Sequence, residues 1–333
     1  MASGANGWYL ALPNMRFATV AIVGRANVGK STFLNAALRE PLAIVSPRPQ
    51  TTRDNLLGVV HRDDAQLAFL DTPGVHKPRS ELGRRMNAAA LEAARLADVL
   101  LFMTDVNVER SRGKALSLDP EDAELLARLP ERVPTVAALN KVDLCANKGR
   151  VLPLLLELEK MREFSAIVPV SLHDEGDAAR LIDALVAAAP EGEPGHPEDA
   201  LTDRPTSYFA GEYVRESVLH ATRAEVPHAV AVSVDEFIES PELVRIHATV
   251  HVEKPGQRKI VVGTGGTTIR DIGIRARKRI EALIERKVHL ELFVRVTPNW
   301  RDAPRMLAEL GQKPVPKDST RTRNPRTKRR STQ

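Results

Sequence analysis

Residues 24–31 read Gly-Arg-Ala-Asn-Val-Gly-Lys-Ser, and this fit to G-x-x-x-x-G-K-[ST] restricts the fold more than any other feature of the chain. An apolar run at 17–24 precedes the loop and a helical pattern at 30–39 follows it, so the loop joins a strand to a helix. Glycines there let backbone N–H groups turn inward around a phosphate, and the helix N-terminus adds the positive end of its dipole. Lys30 supplies a cation for the β- and γ-phosphates of a nucleoside triphosphate, and the Ser31 hydroxyl suits Mg²⁺. Gly24, Asn27, Val28, Gly29 and Thr32 complete the phosphate-binding set.

Two further motifs stand at the ends of later strands. Asp71-Thr72-Pro73-Gly74 closes the apolar run 66–71. A carboxylate at the C-terminal end of a parallel strand faces the ligand crevice, so Asp71 is a candidate Mg²⁺ group and the Gly74 backbone a candidate γ-phosphate sensor. Asn140-Lys141-Val142-Asp143 follows the run 133–139. The Asp143 carboxylate is able to accept N1–H and the exocyclic N2–H of guanine, whereas adenine offers an acceptor at N1 and no such amino group. A site that hydrogen-bonds its ligand this way discriminates by roughly 10⁴–10⁵, so the expected nucleotide is GTP or GDP. Between the first two motifs lies Pro47-Arg48-Pro49-Gln50-Thr51-Thr52-Arg53-Asp54. A threonine of this polar loop is expected to reach Mg²⁺ and the γ-phosphate, with Thr52 preferred over Thr51. Lys30, Thr52 and Gly74 are thus the candidate catalytic groups, and Ser31, Thr52 and Asp71 the candidate Mg²⁺ groups.

The runs at 17–24, 66–71, 98–105, 133–140 and 166–171 read as buried strands, with 55–61 paired antiparallel to the 66–71 run. Helical patterns lie between them, as at 81–97 and 121–129, so a mainly parallel sheet with helices on both faces is expected. Residues 190–205 are dense in Pro, Gly, Glu and Asp with no apolar period, which marks a domain linker. Beyond it come a helix at 207–221, strands at 229–238 and 243–252, and an apolar run ending in glycines. A basic helix at 267–286, a strand at 288–296 and a short helix at 304–310 complete the series. The expected domains are a flexible leader (1–16), a nucleotide domain (17–190), a linker (191–206), a second domain (207–312) and a basic disordered tail (313–333).

Charge separates these halves. Residues 254–301 carry twelve Lys/Arg against four Asp/Glu and residues 313–333 eight against one, while the whole chain is only +5, so the remainder is acidic. That is the pattern of a catalytic domain tethered to a nucleic-acid binder. With Cys145 the only cysteine, an intrachain disulfide and a cysteine zinc site are excluded, in keeping with a reducing compartment. No run approaches the ~18 apolar residues needed to span a bilayer. The first fifteen residues lack a basic start and read poorly as a signal peptide.

The four nucleotide elements, in this order, resemble a translation-factor-class GTPase and, within it, the bacterial Era family. The stretch 71–83, Asp-Thr-Pro-Gly-Val-His-Lys-Pro-Arg-Ser-Glu-Leu-Gly, is similar to that family's second switch. The resemblance implies a fifth element at Ser171 and Leu172, whose backbone meets the guanine carbonyl, although Ser171-Leu172-His173 departs from the usual Ser-Ala pair. Many GTPases place a water-orienting Gln at position 75, where this chain has Val. Slow hydrolysis that awaits a partner or K⁺ is therefore expected, with Asn27 at the position where related GTPases hold potassium. The alternative is GTP binding without turnover.

In the basic half, Gly263-Thr264-Gly265-Gly266 fits G-x-x-G between an apolar run and a helix bearing Arg270, Arg275, Arg277, Lys278 and Arg279. Such a loop lets an RNA backbone pass close by while the adjoining groove reads about four unstacked bases. The order of elements resembles a type II KH domain, and the stretches 256–263, 272–278 and 288–296 continue the likeness to Era. The expected fold class is α/β: a P-loop GTPase domain with a six-stranded mixed sheet, then an α+β type II KH domain. Relatives carry a Lys inside the glycine loop, whereas Thr264 and Gly265 are uncharged, so Lys254, Arg258 and Lys259 are expected to compensate. The resemblance implies binding near the 3′ end of small-subunit (16S) rRNA and a role in assembly of the 30S subunit; a cytoplasmic monomer with no DNA partner is expected. Peripheral contact with the inner membrane stays open. The rival readings are an RNA-binding scaffold with GTP as an unhydrolysed ligand, and a GTPase of tRNA modification.

Overall fold

The computed structural model describes residues 15–46, 51–106, 116–222 and 226–315. The expected leader up to residue 14, residues 47–50 of the polar loop and the tail from residue 316 lie outside the described residues.

The amino-terminal half runs β1 (Arg16–Gly24), α1 (Lys30–Leu38), β2 (Leu56–His61), β3 (Ala65–Asp71), α2 (Glu81–Leu96) and β4 (Val99–Asp105). It continues through α3 (Pro120–Arg128), β5 (Thr135–Asn140), α4 (Leu152–Met161), β6 (Ala166–Pro169) and α5 (Glu175–Ala188). One sheet orders the strands β2-β3-β1-β4-β5-β6, and every neighbouring pair is parallel except β2–β3. The exception follows from chain length. Only Arg62, Asp63 and Asp64 separate β2 from β3, enough for a tight turn closed by Arg62 N–H on the Ala65 carbonyl at 2.8 Å, whereas a parallel crossover needs a dozen or more residues.

Strands β1, β4 and β5 are buried along almost their whole length because helices cover both faces. Phe33 and Leu34 of α1 with Leu181 and Leu185 of α5 fill one side; Ala90, Ala94, Leu125, Leu154 and Leu158 fill the other. Register pairs Ile22 with Asp71, Gly24 with Met103 and Asp105 with Asn140, so the C-terminal ends of β1, β3, β4 and β5 meet along one edge.

The Pro- and Gly-rich segment expected as a linker is a strap laid along the sheet edge. Gly192 N–H donates to the Met15 carbonyl at 2.9 Å, and the Gln66 amide exchanges two hydrogen bonds with the His196 backbone at 2.8 and 2.9 Å. Val59 N–H then donates to Leu201 at 2.9 Å, and Arg204 pairs with Asp54 at 2.5 Å. Gly195 lies so close to Phe17 that a Cβ there would fall 2.5 Å from the ring. The strap delivers the chain back to the edge where the motif residues stand.

The carboxy-terminal half contains α6 (Thr206–Ala221), α7 (Val226–Ala229), β7 (Ala231–Glu239), β8 (Leu243–Val252) and α8 (Pro255–Val262), then α9 (Thr267–Ile284), β9 (Lys287–Val296) and α10 (Pro304–Glu309). The sheet order is β7-β8-β9, antiparallel then parallel, as a type II KH fold requires. The apolar run 260–262 belongs to α8, which starts at Pro255 and is capped by the Gln257 carbonyl oxygen on the N–H groups of Glu253 and Lys254 at 2.9 and 3.0 Å. The halves share apolar packing. Phe209, Tyr213, Ile246 and Ile280 join the cluster under α1, and Trp300 and Leu307 pack with Leu82 and Met86 of α2. No helix among the described residues is long and apolar enough to cross a membrane.

Candidate nucleotide site and nucleic-acid interface

The phosphate loop leaves β1 at Gly24, where a Cβ would sit 2.3 Å from the Met103 carbonyl oxygen. Asn27 and Gly29 take positive φ angles of 65° and 110°, which turns the loop back toward α1. The Gly29 position is also hemmed in by the Asn140 side chain, whose amide donates to the Val28 carbonyl at 2.8 Å. Buried Lys30 curls over the loop, its ammonium donating to the carbonyls of Gly24 and Arg25 at 3.1 and 2.8 Å. Burial pushes this ammonium down to about 8, against the pull of Asp71.

Three oxygens from distant parts of the chain converge beside it. The Ser31 hydroxyl donates to Asp71 Oδ2 at 2.7 Å, the Thr52 hydroxyl to the same oxygen at 3.1 Å, and the two hydroxyls lie 2.8 Å apart. Asp71 is fully buried, which pushes its carboxyl up, and its Oδ1 has no hydrogen-bond partner among the described residues. A buried carboxylate with one oxygen on two hydroxyls and the other without a partner fits the oxygen-donor set of Mg²⁺. It is Thr52 that makes these contacts; the Thr51 carbonyl faces the carboxy-terminal half instead.

Gly74 packs on the phosphate loop so tightly that a Cβ would lie 2.6 Å from the Ala26 nitrogen. Val75 is buried in the core and its N–H donates to the Gly24 carbonyl at 3.2 Å, so it does not orient a water. The Asn87 amide brackets the backbone of His76, which ties the segment after Gly74 to α2.

Lys141 adopts φ 62° and donates to the Asn27 carbonyl at 2.8 Å and to Asp105 at 2.7 Å. Exposed Asp143 lines, with Val142, Ser171 and His173, a cleft of about 1060 Å³. Ser171 N–H donates to Asp177 at 2.6 Å and Leu172 N–H points at Asn140 Oδ1 at 3.4 Å. Thr32 lies in the first turn of α1.

Sequence reading passed over one cluster. Arg25 pairs with Asp105, Asp119 and Asp122 at 3.3, 3.3 and 2.8 Å. Asp122 is fully buried and accepts from Thr104 at 2.6 Å; burial pushes its carboxyl up to about 6. In the sequence, residues 119–122 only border the helical pattern at 121–129; in the structure Asp119 caps α3, with Pro120 after it.

In the other half, Gly263, Gly265 and Gly266 all have positive φ, and Thr264 and Gly265 are exposed. Lys254, Arg258, Lys259, Arg270, Arg275 and Lys278 are exposed along α8 and α9, the helices that flank the loop, with Lys254 as the N-cap of α8. Arg258 also donates to the Val294 carbonyl on the outer edge of β9 at 3.2 Å.

A phosphate loop, a Ser–Thr–Asp oxygen cradle and an Asn-Lys-x-Asp strand end define a P-loop GTPase, here joined to a KH-type domain with a basic glycine loop. Residues 19–141 match the family described as 50S ribosome-binding GTPase, and residues 225–301 match the KH domain. Two similar solved structures are Era in complex with MgGDPNP and nucleotides 1506–1542 of 16S ribosomal RNA, and a point variant of Aquifex aeolicus Era bound to GDP·AlF4⁻. Each is 36% identical, with a TM-score of 0.84 over 90% of this chain and 99% of that one. The chain belongs to the Era family of GTPases.

Proposed function

We propose that this chain is a GTP-driven switch that binds small-subunit ribosomal RNA through its KH domain and assists 30S assembly as a cytoplasmic monomer. The observation that carries the GTPase half is the convergence of Ser31, Thr52 and Asp71 within 3.1 Å beside Lys30, with one Asp71 oxygen left over. Mg²⁺ held there neutralises charge on the β- and γ-phosphate oxygens. Lys30 meets the same phosphates, the N–H groups of residues 24–29 cradle them, and Gly74 N–H senses the γ-phosphate. Asp143 reads guanine in the cleft that it lines together with Ser171.

Hydrolysis is slow because Val75 leaves the attacking water unoriented, and K⁺ at Asn27 is the stimulant we assign. Single-turnover hydrolysis measured with K⁺ and with Na⁺ tests this; turnover in neither salt rejects the enzyme, and equal rates reject K⁺.

For RNA, the exposed Arg and Lys side chains on the two helices that flank the glycine loop support the reading, as does the 16S fragment bound by the 36% identical Era. Cross-linking to total RNA with GTP present is expected to enrich the 3′ end of 16S rRNA. Enrichment of tRNA would reject the assignment.

A further inference from the structure

The segment from Pro41 to Asn55, which carries Thr52 into the magnesium cradle, is held from outside the nucleotide domain at each of its described ends. At its start, the Pro41 carbonyl accepts from Arg279 of α9 at 2.9 Å and from the Tyr213 hydroxyl of α6 at 3.3 Å. Arg279 also stacks 4.4 Å over the Tyr213 ring and pairs with Glu216 at 2.5 Å. Toward its end, the Thr51 carbonyl accepts from Arg215 of α6, whose guanidinium is buried and braced by Glu212 at 2.6 and 2.7 Å. Two residues on, Arg53 donates to the Val230 carbonyl at 2.5 Å and lies 5.4 Å over the ring of Trp300. Trp300 is itself pinned through its indole N–H to the Ala229 carbonyl at 2.8 Å. Between those two anchors, the Thr52 hydroxyl turns the opposite way, onto Ser31 and Asp71.

One buried and one half-buried guanidinium are an expensive way to join two domains, since charges leave water only at a cost that their partners must offset. Burial and the neighbouring Arg215 push Arg53 down to about 9, which fits its crowded place. A purely apolar contact would dock the domains as well, but it would not fix a backbone carbonyl. Arg215 does so, one residue from Thr52.

We propose that Arg215, with Arg53 and Arg279, forms a clamp by which the KH domain positions Thr52 for the γ-phosphate side of GTP. The inference rests on Ser31, Thr52 and Asp71 being the Mg²⁺ cradle. Arg215 is a positioning residue: it acts through the Thr51 carbonyl. The clamp also gives RNA a handle on the nucleotide site, because Arg279 stands one turn beyond Arg275 on α9, the helix that begins at the glycine loop.

Clamp and cradle make different demands on the two nucleotides. GDP lacks the phosphate beside Thr52, so only GTP binding depends on where Thr52 is held. The test measures equilibrium binding of GDP and of a non-hydrolysable GTP analogue, both with Mg²⁺, to full-length Arg215→Ala, Arg215→Lys and Arg279→Ala. Arg215→Ala is expected to weaken the analogue by about 10-fold while GDP stays within about twofold, which also shows that the variant is folded. Arg215→Lys restores part of the loss, and Arg279→Ala gives a smaller loss of the same kind. Unchanged analogue binding in Arg215→Ala, or equal loss of both nucleotides, would overturn the clamp. Thr52→Ala separates the two ideas. If it too fails to weaken the analogue selectively, the cradle is misassigned; if it succeeds where Arg215→Ala fails, the clamp alone is wrong.

Discussion

At the scale of single residues, the least ordinary charge is Asp122. It shares Arg25 with Asp105 and Asp119, and Asp105 also pairs with Lys141. Burial and the neighbouring Asp119 carboxylate raise its folded pKa to about 6, above the unfolded value of 3.8. The folded state therefore holds its proton more tightly than the unfolded one, so the associated stability is present below 3.8 and lost as pH rises through 6. Asp122→Asn cannot ionise and leaves Arg25 two carboxylates. Its stability relative to the parent, from urea midpoints, is expected to improve between pH 4 and 7 by up to about 3 kcal/mol. A difference that does not change with pH would reject the assignment. None of this was legible from the sequence, because Asp105 ends β4 while Asp119 and Asp122 open α3, and no local pattern predicts that they meet Arg25. Gly29, Lys30, Ser31, Asp71 and Asn140 were legible for the opposite reason: a phosphate loop dictates its own local spacing, and strand ends in a parallel sheet share one edge.

Among the elements, strands were read within about two residues because buried parallel strands are continuous apolar runs, and boundaries rarely do better. The strap at 190–205 was not read as packed, since its contacts are mostly hydrogen bonds to its backbone, which need no apolar period. The glycine loop shows what its motif means physically. Gly263 leaves no room for a Cβ, which would fall 2.3 Å from the Thr268 hydroxyl; Gly265 and Gly266 have open space but φ of 59° and 80°. Thr264 is the one loop position that is exposed and bears a side chain. Thr264→Lys is therefore expected to add one phosphate contact without straining the backbone. For a 16S 3′-end fragment, the slope of log K against log salt should steepen by about 0.7. An unchanged slope would mean that the RNA backbone does not pass the loop at this point.

Across the whole molecule, the separate readings of a nucleotide domain and an RNA domain join into a thermodynamic statement. The apolar cluster under α1 continues into α6 and α9, and α2 is tied to the carboxy-terminal end through Glu81 N–H on Asp302 at 2.7 Å and Arg85 on the Gln312 carbonyl at 2.8 Å. The Thr52 segment and α2, which follows Gly74, thus both touch the KH half, so a ligand favouring one arrangement of either domain biases the other. Linkage then requires that the factor by which the GTP analogue, relative to GDP, tightens RNA equals the factor by which RNA tightens the analogue relative to GDP. A coupling of about 1–3 kcal/mol makes that factor roughly 5–150-fold. Titrating RNA against both nucleotide forms, and both nucleotides with and without RNA, measures it twice. Equal factors above unity that fall toward one in Arg215→Ala would locate the coupling in the arginine contacts to Thr51. Equal factors that survive this substitution would assign it to α2 and Trp300 instead, and factors of one in the parent chain would mean that the two domains, though packed together, bind their ligands independently.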